Sequence, residues 1–203
     1  MRNKLYPDCS VILLCITIII LFAACTESGT HEPLKPGDLT KSIIPAPQFN
    51  ADSAYHFIQR QVDFGPRIPN TPAHDSCAVF LKEKLKCFNL DVVTQKAALT
   101  AYNGVKLNIE NIIASVNPSA PNKIILCAHW DTRPFADQDA IDNNKPFDGA
   151  NDGGSGTGVL LEIARLLGKT PPDIGVDLIF FDAEDYGKSN VENSYCLGSQ
   201  YWA

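Results

Sequence analysis

Two apolar runs decide the fold of this chain, Lys123-Ile124-Ile125-Leu126-Cys127-Ala128 and Val176-Asp177-Leu178-Ile179-Phe180-Phe181. Each run is short and continuous, which predicts an interior strand that is buried on both faces of a sheet. Between them, the apolar residues of 158–167 fall on one helical face, and Gly168 is predicted to end that helix. Strand, helix and strand in this order predict a parallel crossover, which places the chain in the α/β class.

The sequence before these runs predicts two helices and a hairpin. Apolar residues recur at a helical spacing in 51–64 and again in 71–88. The ranges 90–99 and 105–116 are rich in strand-forming residues and flank a turn at Asn103-Gly104. We therefore expect two amphipathic helices followed by two strands that pair as a hairpin.

Acidic residues and a histidine follow the predicted strands. His129-Trp130-Asp131 comes directly after the first run, and Asp182-Ala183-Glu184-Asp185 comes after the second. Asp152 lies in the glycine-rich turn that leads into the helix between them. Ligands bind outside the carboxyl ends of the strands in such sheets, so we expect these side chains to lie together. A histidine beside several carboxylates predicts a zinc site with an adjacent general base.

Each part of this group has another interpretation. The turn at 148–154 could bind phosphate, but it lacks the lysine of a Walker loop and carries carboxylates that would repel phosphate. An acidic pair at a strand end, such as Glu184 and Asp185, is more often a solvated turn. Three histidines could each be ordinary hydrogen-bonded side chains: His56, His74 and His129.

Five ordered motifs resemble those of the zinc aminopeptidase superfamily (peptidase family M28-like), which includes the glutaminyl cyclases. They are Phe64-Gly65-Pro66-Arg67, His129-Trp130-Asp131, Gly149-Ala150-Asn151-Asp152, Phe180-Phe181-Asp182-Ala183-Glu184-Asp185 and Leu197-Gly198-Ser199-Gln200. Arg133-Pro134-Phe135-Ala136-Asp137 resembles the bacterial glutaminyl cyclases more than the two-zinc aminopeptidases. The resemblance implies a three-layer αβα sandwich with a mixed, largely parallel central sheet, zinc-exopeptidase-like and incomplete at the C-terminus.

The resemblance also implies a role for each site residue. Asp152 and Asp185 would bind one zinc ion, and Glu184 would be the general acid and base. His129 would ligate a second zinc in the aminopeptidase form but would be a structural neighbour in the cyclase form. Asp185 stands where many relatives carry glutamate, so its reach is one methylene shorter.

The family supplies its last zinc ligand from a later loop, and no histidine follows His129 in this sequence. We therefore expect a catalytic domain that is truncated at its C-terminus. Such a chain would bind zinc weakly, show little activity and expose one edge of its sheet.

The activity implied by the resemblance is that of a glutaminyl-peptide cyclotransferase, which acts on peptides or proteins with an N-terminal glutamine. Zinc would polarise the side-chain amide, the free α-amine would attack it, and Glu184 would carry the proton to the departing ammonia. A zinc metallo-aminopeptidase that hydrolyses N-terminal residues is the alternative within the same fold. A tethered binding protein with impaired catalysis is the alternative from another class.

The composition excludes other classes of function. With 203 residues and 45% hydrophobic content, the chain can bury the core of one globular domain. Its net charge is −6 and it contains no run of lysine and arginine. A nucleic-acid partner would require a basic face, so we expect none.

Residues 1–25 predict a bacterial lipoprotein signal. Arg2 and Lys4 precede an almost unbroken apolar stretch at 11–24, as in export signals. This stretch is shorter than the ~20 apolar residues that span a bilayer, so a permanent transmembrane helix is the weaker alternative. The ending Leu21-Phe22-Ala23-Ala24-Cys25 resembles a lipobox, in which Cys25 becomes the lipidated N-terminus.

Residues 26–50 contain several glycines and prolines and show no helical or strand period. They predict a flexible tether between the lipid and a catalytic domain at 51–203. We therefore expect an exported protein that is anchored to a bacterial membrane through its lipid and faces the periplasm.

Overall fold

The computed structural model describes residues 46–203. The predicted signal at 1–25, the predicted lipidation site Cys25 and nearly all of the predicted tether lie outside this range. In chain order, the described elements are α1 Ala51–Val62, α2 Pro72–Cys87, β1 Asp91–Thr100, β2 Lys106–Val116, β3 Lys123–His129, α3 Gly154–Lys169, β4 Gly175–Phe181 and α4 Leu197–Trp202.

The strands form one mixed sheet in the order β1, β2, β4, β3. β1 and β2 are the predicted antiparallel hairpin, and β2 also runs antiparallel to β4. β3 and β4 are parallel, with His129 opposite Phe181, so the predicted crossover is confirmed. Among the described strands this is the one parallel pair, because the hairpin brings β2 alongside β4 in the opposite direction.

Helices cover both faces of the sheet. One face carries alternate residues of β2 and β4, including Ile112, Leu178 and Phe180, which are buried in one core with residues of α1, α2 and α3. On the other face, Asn111 donates to the carbonyl of Gly198 in α4 at 2.8 Å, and the Phe181 ring lies 5.9 Å from the Trp202 ring. The predicted three-layer arrangement is therefore confirmed.

The prediction that 123–128 is buried on both faces is wrong. Within the described residues β3 pairs only with β4 and lies at the edge of the sheet. Ile124 is 46% exposed and Ile125 is 51% exposed, and Cys127 is also exposed. A continuous apolar run does not reveal which of its faces is covered, because that depends on elements from elsewhere in the chain. By contrast, β4 is buried nearly along its whole length, as predicted.

Gly168 does not end α3, which continues to Lys169. A Cβ atom at this position would lie 1.8 Å from the carbonyl oxygen of Phe88, so the helix can pack here only with glycine. The glycine therefore permits close packing of α3 against the end of α2. None of the helices in 46–203 has the length and apolar character required to cross a membrane.

Candidate active site

The carboxyl ends of β3 and β4 lie side by side and bring the predicted motifs together. The backbone N–H of Trp130 donates to the carbonyl of Phe181 at 3.0 Å, so residues 129–131 emerge next to residues 182–185. The glycine-rich turn that carries Asp152 leads into α3 at the same edge. This juxtaposition was predicted from the topology of a parallel crossover.

His129 lies at the centre of this group. Its Nε2 lies 2.8 Å from Asp152 Oδ1, while its Nδ1 lies 3.5 Å from Asp131 Oδ1 and 3.8 Å from Glu184 Oε2. Burial alone would lower the pKa of His129, but the carboxylates of Asp131, Glu184 and Asp152 together raise its pKa to about 9. Without a metal ion, the histidine is therefore a cation that neutralises part of the acidic group.

Asp131 holds the backbone of the acidic turn. Its side chain is fully buried, and its two oxygens accept the N–H groups of Glu184 at 3.0 Å and Asp185 at 3.2 Å. Hydrogen bonds to an ionised group are about twice as strong as those between neutral groups. Asp131 therefore fixes the positions from which the Glu184 and Asp185 side chains extend.

The carbonyl groups of the same turn are bound by the start of α4. Cys196, Leu197 and Gly198 donate their N–H groups to the carbonyls of Glu184, Ala183 and Asp182 at 2.7 to 3.1 Å. Ala183 has φ +51°, a left-handed conformation that costs a non-glycine residue roughly 1–2 kcal/mol. The hydrogen bonds on both sides of the turn hold this conformation. The motif Leu197-Gly198-Ser199-Gln200 thus supports the acidic turn.

Cys196 also contacts the predicted acid and base. Its Sγ lies 3.5 Å from Glu184 Oε1. Burial and the nearby charge of Glu184 raise the pKa of the Cys196 thiol, so the thiol stays protonated and donates to the carboxylate. The Glu184 side chain itself is one-third exposed.

Arg67 holds the turn that carries Asp152. The guanidinium is fully buried and donates to the carbonyls of Trp130, Asp148 and Gly149. It thereby joins the end of β3 to the glycine-rich turn. A Cβ atom at Gly153 would lie 2.7 Å from His129 Nδ1, so glycine is required here for the turn to approach the histidine.

Negative charge is concentrated around Asp185. Burial, followed by the charges of Asp152, Glu184 and Asp131, raises the pKa of Asp185 to about 6, although Arg133 opposes this shift. Arg133 Nη1 donates to the Asp185 carbonyl at 3.0 Å and lies 3.4 Å from Asp185 Oδ1. Four carboxylates thus lie near one histidine and one arginine, so negative charge is in excess here.

This donor set fits a divalent cation. Carboxylate oxygens and an imidazole nitrogen are zinc ligands, and a cation would relieve the repulsion that raises the pKa of Asp185. The Asp152 side chain is 61% exposed and that of Asp185 is mostly covered, and the charge of Asp152 contributes to the raised pKa of Asp185, so the two carboxylates lie near each other. Within 46–203, however, no three or more His, Cys, Asp or Glu side chains are arranged to hold a metal ion together.

A cavity of about 290 Å³ lies beside Asp152. Its lining is mainly apolar and includes Phe135 and Phe147, with Arg133 and Asp137 at its polar side. Arg133 is held there by Asp137 through Nε at 2.9 Å and by the ring of Tyr195, 5.5 Å from its guanidinium carbon. The segment from Arg133 to Asp137 therefore forms one wall of the cleft next to the carboxylates.

Sequence reasoning did not recognise three of the residues that build this site. The sequence presents Arg67 and Asp182 only as members of motifs, and His74 as an ordinary hydrogen-bonded histidine. His74 carried a signal, because it shares the buried face of α2 with Ala78, Leu81 and Leu85. A polar side chain on such a face requires a buried partner, which is Asp182.

Comparison with protein families gives a match between residues 111–203 and the model described as Peptidase family M28. Two solved structures with similar folds carry different names. The Porphyromonas gingivalis glutaminyl cyclase is 53% identical, with a TM-score of 0.75 over 77% of this chain and 56% of that chain. A leucine aminopeptidase precursor from Bacteroides thetaiotaomicron is 50% identical, with a TM-score of 0.76 over 79% of this chain and 58% of that chain.

Among curated proteins, the bovine glutaminyl-peptide cyclotransferase is 27% identical over 131 residues. The match covers 59% of this chain and 35% of the bovine protein. The chain therefore spans little more than half of these solved relatives and about a third of the curated one.

Proposed function

We propose that this chain, whose residues 111–203 match peptidase family M28, carries the acidic half of the site of a zinc-dependent glutaminyl-peptide cyclotransferase. Such an enzyme converts the N-terminal glutamine of a peptide to pyroglutamate and releases ammonia. The observation that carries the proposal is the 53% identity to a solved glutaminyl cyclase over three quarters of this chain. The distances from His129 to Asp152 and to Glu184, 2.8 and 3.8 Å, support it.

Asp152 and Asp185 would hold the zinc ion, which when bound would polarise the side-chain carbonyl of the substrate glutamine. Asp152 is exposed at the mouth of the cleft. Asp185 contacts Arg133 through its side chain and donates its backbone N–H to Asp131. The two carboxylates belong to different elements, the turn before α3 and the turn after β4, so a bound ion would link these elements.

Glu184 is suited to move the proton. The attacking α-amine must lose a proton, and the amide nitrogen must gain one before it leaves as ammonia. The Glu184 carboxylate is partly exposed on the cleft side, with its backbone fixed by Asp131 and Cys196. A single carboxylate that is held in place in this way can accept the first proton and deliver it to the leaving group.

The cavity next to Asp152 is suited to the substrate. Its volume of about 290 Å³ matches a side chain with adjoining backbone, and Phe135 and Phe147 would exclude water from the reacting amide. Arg133 stays bound to Asp137 and Asp185, so it shapes the wall of the cavity while it offsets local negative charge.

An aminopeptidase is the second candidate, and one observation favours it. His129 Nε2 lies 2.8 Å from Asp152 Oδ1, so the histidine is close enough to share a second metal ion with that carboxylate. The solved relative named as a leucine aminopeptidase precursor is nearly as similar as the glutaminyl cyclase. In this function, water would attack the first peptide bond with Glu184 as the base.

Supplying a peptide that begins with glutamine separates the candidates. For each peptide converted, at whatever rate, we expect one ammonia and a product that has lost the mass of one ammonia without becoming shorter. Shortening of the peptide by one residue would identify an aminopeptidase instead. If zinc-loaded protein binds the peptide but leaves it unchanged, catalysis is impaired and the chain functions as a binding protein.

We also propose that the protein is exported and anchored through a lipid on Cys25. The support is the order of basic residues, apolar stretch and Cys25 in the sequence. Expression in a bacterium with a radiolabelled fatty acid tests this proposal. We expect label in the parent protein, which fractionates with membranes, and no label in a Cys25→Ser variant.

A further inference from the structure

His74 is buried between the two segments that carry the site residues, 129–131 and 182–185. Its side chain is 3% exposed on the inner face of α2. Its Nε2 lies 2.9 Å from both carboxylate oxygens of Asp182, and its ring stacks on Trp130 with centroids 4.3 Å apart and planes at 24°. One side chain therefore contacts the end of β4 and the residue that follows β3.

On the β3 side, Trp130 is the residue between His129 and Asp131. It is fully buried, and its indole N–H donates to the carbonyl of Glu110 in β2 at 3.3 Å. The packing of its ring therefore positions the backbone of His129 and Asp131. The ring of His74 packs against this indole and so supports both neighbouring site residues.

On the β4 side, Asp182 begins the acidic turn. Its Oδ1 accepts the N–H of Ala183 at 2.7 Å, and its Oδ2 accepts the N–H of Glu110 at 2.7 Å. The first of these bonds holds Ala183 in its left-handed conformation, from which the chain continues to Glu184 and Asp185. Because Asp182 is fully buried, its charge requires a fixed partner, and His74 provides one.

Asp182 and Asp131 together bind three consecutive N–H groups of the turn, those of Ala183, Glu184 and Asp185. Asp131 directly follows the buried Trp130, whose packing positions it. Asp182 is oriented by His74. If the Asp182 carboxylate rotated, the N–H of Ala183 would lose its acceptor. The left-handed turn would then lose a bond that keeps it in place.

We propose that His74 is a positioning residue that orients Asp182 and Trp130 and thereby fixes the acidic turn that carries Glu184 and Asp185. This inference deepens the proposed function and rests on it for the roles of Glu184 and Asp185. His74 itself lies behind the turn and would not contact substrate or zinc.

The test compares His74→Phe with His74→Gln. Phenylalanine keeps an aromatic ring against Trp130 but removes the N–H that faces Asp182, whereas glutamine retains an N–H donor on a side chain of similar length. His56→Phe, an exposed histidine in α1, is the matched control. All proteins are made as the parent is made, and thermal unfolding confirms that each variant is folded before it is assayed.

Hydrogen exchange at the backbone amides of 183–185 is the first measurement, and it requires neither zinc nor substrate. We expect faster exchange at these amides and at the amide of Glu110, which also donates to Asp182, in His74→Phe. The other amides of β2 should change little, and His74→Gln should restore protection in part. Equal acceleration throughout the sheet in both variants would mean that His74 only supports the core, and would overturn the proposal. Unchanged exchange at the turn in His74→Phe would overturn it too.

Kinetics with the glutamine-initiated peptide is the second measurement. A displaced catalytic group costs on the order of 100-fold in rate, so we expect a large fall in kcat for His74→Phe with KM nearly unchanged. A kcat in His74→Phe close to that of His56→Phe would contradict the proposal. If the parent protein cyclises no peptide, the proposed function fails by itself, and the exchange measurement alone decides the role of His74.

Discussion

The buried carboxylate of Asp131 accepts the backbone N–H of Glu184 at 3.0 Å. Its other oxygen accepts the next N–H along the chain, at 3.2 Å. A residue that follows β3 thus determines where the acidic pair after β4 lies. The candidate site therefore depends on side chains that would contact neither zinc nor substrate.

Replacing Asp131 with asparagine tests this dependence. An amide has one oxygen, so one of the two N–H groups would face an N–H₂ group, and the charge that strengthens both bonds would be lost. We expect a loss of about 1.5–3 kcal/mol in the free energy of unfolding, measured with urea. Asp173→Asn, an exposed position before β4, is the control and should unfold like the parent.

Glu184→Gln should slow turnover strongly and leave the fold intact. The side chain is one-third exposed, so its replacement leaves no large cavity. A general acid and base contributes roughly 10²–10⁴-fold to the rate, and we expect a fall in kcat within this range. The matched control is Glu192→Gln at an exposed position, and equal rates for the two variants would remove Glu184 from the mechanism.

Zinc stoichiometry distinguishes the two assignments of His129. If one zinc is bound, Asp152→Asn should weaken zinc binding by at least about 10-fold, while His129→Gln should leave the number of ions per chain unchanged. If two are bound, His129→Gln should release one ion. Elemental analysis gives the count, competition with a chelator gives the affinity, and Asp173→Asn again serves as the control.

Cys77 and Cys87 lie in the same helix but should differ in reactivity. Burial raises the pKa of Cys77 to about 12 and excludes reagent, whereas Cys87 is exposed at the end of α2. The thiolate is the reactive species, so iodoacetamide should label Cys87 in the folded protein and label Cys77 only after denaturation. Peptide mass spectrometry reads out both sites. Early labelling of Cys77 would show that α2 opens readily.

Gly168→Ala should destabilise the protein, although alanine is the better helix former. Helix propensity alone predicts a gain of about 1 kcal/mol for this change in a helix interior. The added Cβ, however, would lie 1.8 Å from the Phe88 carbonyl oxygen, so α3 would have to move away from the end of α2. A lower unfolding midpoint is expected, and a higher one would mean that the two helices separate without cost.

The grouping of the site residues at the strand ends was predictable, because it follows from the order of strands and helices along the chain. A strand, a crossover helix and a second parallel strand place both carboxyl ends at one edge, so His129 and Glu184 had to be close. The exposed face of β3 was not predictable, since Ile125 and Leu178 occupy equally apolar runs but only one of them lies under a helix. The packing role of Gly168 was not predictable either, because the residue against which it packs, Phe88, lies 80 residues earlier in the chain.

The sequence by itself determined the α/β class, the parallel crossover and the set of candidate acids, because hydrophobic periodicity and residue order along the chain specify them. Only the tertiary structure decided how those acids are held. Asp131 binds the backbone of Glu184, His74 pairs with Asp182, and Arg67 holds the turn of Asp152. These contacts join residues from separate elements, so they exist only once the helices and the sheet have packed.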